Sequence, residues 1–180
     1  MSLPIGVLTN NARLALGAPN TFPVLNIEDV DTIAGTNVNS LLFKACVVLN
    51  QGQAKARARG TILNTTSTTL EVPPFPCEPI YHASKTFQEG LTNAWPTELV
   101  GTDIKVLALR MGVVATNFHE LWVCFDRVMY EEFMEGFGPL LAGDMAEVVA
   151  WMVDGEERIS VRAVDVVPSA QRSLSVFDEV

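Results

Sequence analysis

A chain of 180 residues with 48% hydrophobic and 18% charged side chains can bury a real core and reads as one globular domain, residues 1–180, rather than a disordered segment. Its formal charge of −9 excludes an affinity built on neutralising phosphates, so no nucleic-acid partner is expected. Cys46, Cys77 and Cys124 are odd in number and far apart, which argues against a metal site or a disulfide framework and fits a reducing compartment.

In chain order, Met1 to Ile5 has no basic flank and no apolar stretch of signal-peptide length, and no later run approaches a membrane span, so a cytoplasmic protein without membrane contact is expected. Ile5 to Thr9 reads as a buried strand emptying into the polar turn Asn10-Asn11. Pro19, Asn20 and Pro23 mark a loop. Asn26, followed by Glu28 and Asp29, starts a long helix whose apolar positions Ile27, Val30, Ile33, Leu41, Leu42 and Ala45 continue towards Leu49. Asn37 sits inside it, where asparagine is a poor helix former and should point out or disturb the helix.

Gln51 to Gly60 is a polar break, and its basic run Lys55 to Arg59 reads as a solvated loop. Gly60 to Thr66 is a second strand, β-branched in character. The prolines in Val72 to Pro76 require a loop. Pro79 then begins a helix over Tyr81 to Trp95 that Pro96 should kink or end. Ile104 to Leu109 is a third strand, Phe118 to Pro139 an irregular insert, Asp144 to Val153 a helix and Ile159 to Val167 a fourth strand. Strands alternating with helices imply a parallel α/β sheet with helices on both faces, in which ligands gather at the carboxyl ends of the strands. Three of the four strands end there in polar or glycine-containing turns.

Tyr81 and Lys85, four apart at the start of a helix, share one face. An ammonium within a few ångströms favours the phenolate and makes the phenol a better acid or base near neutral pH. Ser67, at the end of the second strand, could hydrogen-bond a substrate carbonyl beside that tyrosine, or be an ordinary turn serine. In the insert, Trp122, Phe125, Tyr130 and Phe133 either line a substrate pocket or pack the insert on the core. Arg127 could meet a substrate carboxylate.

These positions together resemble the short-chain dehydrogenases/reductases. The resemblance runs through Val7-Leu8-Thr9-Asn10-Asn11-Ala12, Thr36-Asn37-Val38-Asn39, Ile62-Leu63-Asn64-Thr65-Thr66-Ser67, Tyr81-His82-Ala83-Ser84-Lys85 and Gly112-Val113-Val114-Ala115-Thr116-Asn117-Phe118. Asn11 to Gly17, Ile27 to Val30 and Pro139 to Ala146 look most like the NADP-dependent 3-hydroxy acid dehydrogenases. The resemblance implies a Rossmann-like three-layer fold and hydride exchange between NADP(H), or NAD(H), and a small hydroxy or keto compound. It gives Tyr81 the proton transfer, Lys85 the lowering of the tyrosine pKa and the nicotinamide ribose, Ser67 the carbonyl, and Asn37 a water that links Lys85 to solvent. Asn11 and Ala12 would line the adenosine side of the cofactor, with Val114 and Thr116 near the carboxamide. Family members assemble through two helices, here 27–49 and 81–95, so a homo-oligomer is expected.

Several positions depart from that pattern. The family's glycine-rich nucleotide-binding turn and first three strand-helix units have no counterpart, so the chain is expected to be the C-terminal catalytic portion of an incomplete sheet. Arg13 stands where the family's Asn-Asn-Ala-Gly turn has glycine, Met111 where proline is usual, and Pro96 where relatives continue the helix. A silent remnant, or a subunit that only interacts, is the alternative these departures raise.

Overall fold

The computed structural model of the chain describes residues 5–53, 59–70, 77–136, 138–173 and 176–178. The proline-rich stretch 72–76 and most of the basic run 55–59 lie outside them. Strands β1 (Val7–Asn10), β2 (Arg59–Thr65), β3 (Asp103–Met111) and β4 (Ala163–Val166) form one sheet in the order β1-β2-β3-β4, and every neighbouring pair is parallel. This is the Rossmann-like α/β fold that the alternating pattern implies. A two-stranded antiparallel ribbon, β5 (Gln171–Ser173) and β6 (Val176–Phe177), follows the sheet and is not anticipated by the sequence. The fourth strand is also shorter than its expected span of 159–167.

The two faces of the sheet are packed differently. On one, Leu63, Leu107, Leu109 and Met111 meet Met145 and Met152 of helix α6 (Ala142–Val153) in an apolar core, where close packing and burial supply most of the stabilisation. The other carries a buried polar layer. Asn10 Nδ2 donates to Asn64 Oδ1 at 2.9 Å and Asn64 Nδ2 to Thr92 Oγ1 at 2.8 Å, which ties β1 and β2 to helix α3 (Pro79–Glu98). The buried positions of α3 are Tyr81, Ser84, Lys85, Gln88 and Thr92, a helical stripe that is almost wholly polar.

The long helix is α1 (Ile27–Ala34), a π-helical turn Gly35–Asn39 and α2 (Ser40–Gln53). Asn26 caps it by accepting from the Glu28 amide, as its position predicts. Asn37 disturbs the helix and faces inward: it is fully buried in the π turn, where the wider turn frees a side chain for non-helical partners. One expectation is corrected here. Ile27–Asn50 is 24 residues long with a mean hydropathy of 1.3, enough by length and composition to cross a membrane. In the fold it lies against α3 and β1.

Pro96 does not end α3, which runs on to Glu98. The proline sits in the last turn, and the Leu99 N–H closes the helix on the Trp95 carbonyl at 3.0 Å. The insert expected to be irregular holds two short helices, α4 (Asn117–Trp122) and α5 (Arg127–Met134), capped by Thr116 and Asp126. Cys124 and Phe125 between them both have positive φ, 51° and 63°, a conformation costly for side-chain-bearing residues.

Candidate active site

Parallel pairing aligns the ends of β1, β2 and β3, so the turns after Asn10, Thr65 and Met111 open on one edge. A cavity partly open to solvent lies there, with Arg13, Ser67, Glu78, Tyr81, Gly112 and His119 among its lining. Tyr81 reaches it from the first turn of α3, whose first helical residue is Pro79, the position where a proline costs no hydrogen bond. Ser67 reaches it from just beyond β2, and its hydroxyl and the Tyr81 phenol are hydrogen-bonded. The structure thus brings together the two groups assigned to the carbonyl.

Burial raises the Tyr81 phenol to about 12; the Arg13 cation and the Ser67 bond pull it down, and Glu78 pushes it up. Tyr81 therefore holds its proton at neutral pH and is an acid rather than a preformed phenolate. This corrects the expected origin of its tuning, because the cation that favours the phenolate is Arg13 and not Lys85. The Lys85 ammonium is wholly buried, 5.6 Å from the Tyr81 ring centroid, and donates to the Thr65 carbonyl at 2.8 Å and to Gln88 Oε1 at 2.9 Å. Burial, and next Arg13, push its pKa well down.

Asn37 is joined to the same network by protein groups. Its amide exchanges two hydrogen bonds with the Leu14 backbone, at 2.9 and 2.8 Å, and donates to Ser84 Oγ at 3.0 Å. The Asn37 backbone carbonyl accepts from Gln88 Nε2 at 2.5 Å. The side-chain amide of Gln88 thus joins Lys85 to the Asn37 backbone. Among the groups assigned to a cofactor, Asn11 and Ala12 are exposed in the turn after β1. Val114 is packed in the apolar core, and Thr116 Oγ caps α4 by accepting from the Phe118 amide at 3.4 Å. None of these four lines the cavity.

Sequence reasoning passed over Glu78, Gln88, His119 and Gln171. Gln171 packs at Gly112, where an added Cβ would displace its Oε1 and crowd Pro168 and Val167 at 3.1 Å. Glu78 is buried with its carboxyl raised to about 8 by desolvation. His119 is lowered to about 4, by burial first and then Arg13. Within the insert, Trp122 and Phe133 stack edge to face at 5.3 Å and pack with the Tyr81 cluster, whereas Phe125 is exposed. Arg127 pairs with Glu131 at 2.7 Å on the surface.

A parallel α/β sheet with a protonated phenol, a serine hydroxyl and a buried lysine grouped at the carboxyl ends of its strands is a Rossmann-like domain with a candidate proton-transfer site. Residues 2–123 match the short chain dehydrogenase family, and the chain belongs to it. It is 23% identical over 167 residues to a serine 3-dehydrogenase from Agrobacterium fabrum, covering 93% of this chain and 65% of that protein. It is 30% identical over 168 residues to an NADP-dependent 3-hydroxy acid dehydrogenase from Salmonella typhi, covering 93% of this chain and 66% of that protein. The closed form of a serine dehydrogenase complexed with NADP+ superimposes with a TM-score of 0.87 at 25% identity, covering 98% of this chain and 70% of that one. The chain spans 65% of the length of the first of these relatives.

Proposed function

We propose that the protein is an oxidoreductase that exchanges hydride between NADP(H) and a small hydroxy or keto compound. The hydrogen-bonded pair of Ser67 and Tyr81 in one cavity carries this reading, and the NADP dependence named in its relatives supports the cofactor. In the carbonyl-reducing direction the Ser67 hydroxyl donates to the substrate oxygen and Tyr81 passes it the phenolic proton, while the nearby Arg13 cation stabilises the phenolate left behind. Asn11 and Ala12, exposed in the turn after β1, would hold the cofactor at this edge of the sheet, beside Tyr81 and Lys85. When bound, the cofactor would supply the hydride.

Association into a homo-oligomer through the helices at 27–49 and 81–95 belongs to the same reading. Phe43, Val47 and Phe87, large and exposed on these helices, support it. The test is NADPH fluorescence and its oxidation at 340 nm with a panel of small 3-oxo acids. Loss of at least about a hundredfold in turnover with retained NADPH binding is expected for Tyr81→Phe. Protein that neither quenches nor enhances NADPH fluorescence at high micromolar cofactor sinks the reading for this chain.

A further inference from the structure

The cavity at the ends of β1, β2 and β3 holds a cation without a counter-charge. Arg13 leaves the turn after β1 half-buried, lays its guanidinium over the Phe118 ring at 5.2 Å and reaches the Met111 thioether with Nη1 at 3.7 Å. Neither contact supplies a negative charge: a ring attracts a cation only through its quadrupole, and a thioether is a weak, neutral acceptor. Arg59, Arg110, Arg127, Arg158 and Arg172 each hold a carboxylate, while Arg13 has none in ion-pair distance among the described residues.

The surroundings do not neutralise it. Glu78, the acid that shares the cavity, is held protonated at neutral pH by its burial. Burial first, and then the Arg13 charge, push Lys85 and His119 towards their neutral forms. An uncompensated, partly desolvated cation is costly, and an anion placed against it recovers that cost. The guanidinium presents five N–H donors in a rigid fork that matches the two oxygens of a carboxylate. Ser67 and Tyr81 line the same cavity, so an anion on Arg13 leaves their hydroxyls a few bonds away along a small ligand.

We propose that Arg13 is an anion-binding subsite that takes the carboxylate of a small hydroxy or oxo acid, with the oxygen-bearing carbon of that acid against Ser67 and Tyr81. The position of that carbon rests on the proposed proton transfer by Tyr81; the binding of the carboxylate does not. Phosphate, free or on a cofactor, is the other anion with this chemistry. At neutral pH a phosphate carries roughly 1.5 to 2 negative charges, more than the single Arg13 guanidinium offsets, whereas a carboxylate carries one, so the carboxylate is the assignment.

The test is calorimetric titration of the full 180-residue chain with 3-hydroxypropanoate, its neutral amide 3-hydroxypropanamide, and inorganic phosphate, without cofactor. The acid should bind at least about tenfold more tightly than the amide, as a charge-assisted pair implies. Arg13→Gln should erase that preference and leave amide binding unchanged, and Arg13→Lys, which keeps the charge but not the fork, should retain part of it. Equal affinity for acid and amide, no binding of the acid, or a preference that survives in Arg13→Gln overturns the proposal. So does phosphate binding more tightly than the acid. Turnover is not read, so an acid preference that depends on Arg13 stands even where NADPH oxidation fails, and NADPH oxidation stands where the preference fails.

Discussion

Glu78 makes the stability of this protein depend on pH in a direction opposite to that of most carboxylates. Its carboxyl is buried at 5% exposure and raised from 4.5 to about 8 by desolvation. Between those values the folded protein keeps the proton and the unfolded chain has lost it, so stability is fully present below pH 4.5 and falls as pH rises to 8. At about 1.4 kcal/mol per pH unit, the interval from pH 5 to pH 8 is worth on the order of 4 kcal/mol. Glu78→Gln has no such titration. Urea unfolding of both proteins from pH 5 to pH 8.5, above the isoelectric region near 4.6, gives a difference curve in which the other titrating groups cancel. The variant should gain about 4 kcal/mol on the wild type across that range, whatever the fixed offset from burying an amide. A difference that stays constant with pH would mean that Glu78 is already ionised in the fold, and the reasoning fails.

The opposite slope is expected of His119. Its folded value of about 4 against 6.5 means that its contribution is present above pH 6.5 and is lost as pH falls towards 4, by about 2 kcal/mol between 6.5 and 5. His119→Phe should remove that loss in the same unfolding assay, and identical acid limbs in the two proteins would refute it. Gly112→Ala drives a methyl against Gln171, Pro168 and Val167. It should cost about 1–3 kcal/mol and loosen the segment from Pro168 onward, read as faster amide exchange there. Gln88→Leu strips Lys85 of one acceptor and the Asn37 carbonyl of its donor. A loss of about 3 kcal/mol in urea unfolding follows, and a neutral effect would mean that the linkage is not made in solution.

Periodicity made the sheet and its main helices legible, because β1, β2 and β3 are short apolar or β-branched runs between turn residues and α3 opens on a proline at its first position. Legibility failed where tertiary context outweighs local preference. Pro96 looks like a helix end, yet in the final turn of α3 its missing donor matters little. Thr116 and Asp126 are caps whose helices are too short to show a period, so the insert read as irregular. At the site, the Tyr81–Lys85 spacing and Ser67 were visible as chemistry-bearing residues. The source of the tyrosine's tuning was not, since sequence spacing makes Lys85 its neighbour while the fold turns that ammonium towards Thr65 and Gln88 and brings Arg13 across from another strand. No local signal marks Glu78 or His119, because their altered acidity comes from burial by distant elements.

The division between the faces of the sheet explains how such a site persists. Lys85, Asn37, Asn64, Gln88 and Thr92 are all buried, and each polar group taken from water costs free energy unless it is paired. Here the pairing is dense: Lys85 to Thr65 and Gln88, Gln88 to Asn37, Asn37 to Leu14 and Ser84, Asn64 to Asn10 and Thr92. Such a network holds positions well but gives little net stabilisation, since its hydrogen bonds replace bonds to water. The apolar packing of β2 and β3 on α6 therefore has to supply the folding free energy, and it does so on the far side of the same strands. Substitutions in that core should lower stability without moving the Tyr81–Ser67 pair, whereas substitutions in the polar layer should move the pair. The test is a comparison of Met152→Ala with Asn64→Ala by ultraviolet titration of the Tyr81 phenol, assigned by its loss in Tyr81→Phe. Only Asn64→Ala should lower that phenol from about 12, because water then reaches the layer beneath it; equal shifts in both proteins would mean that the two faces are not independent.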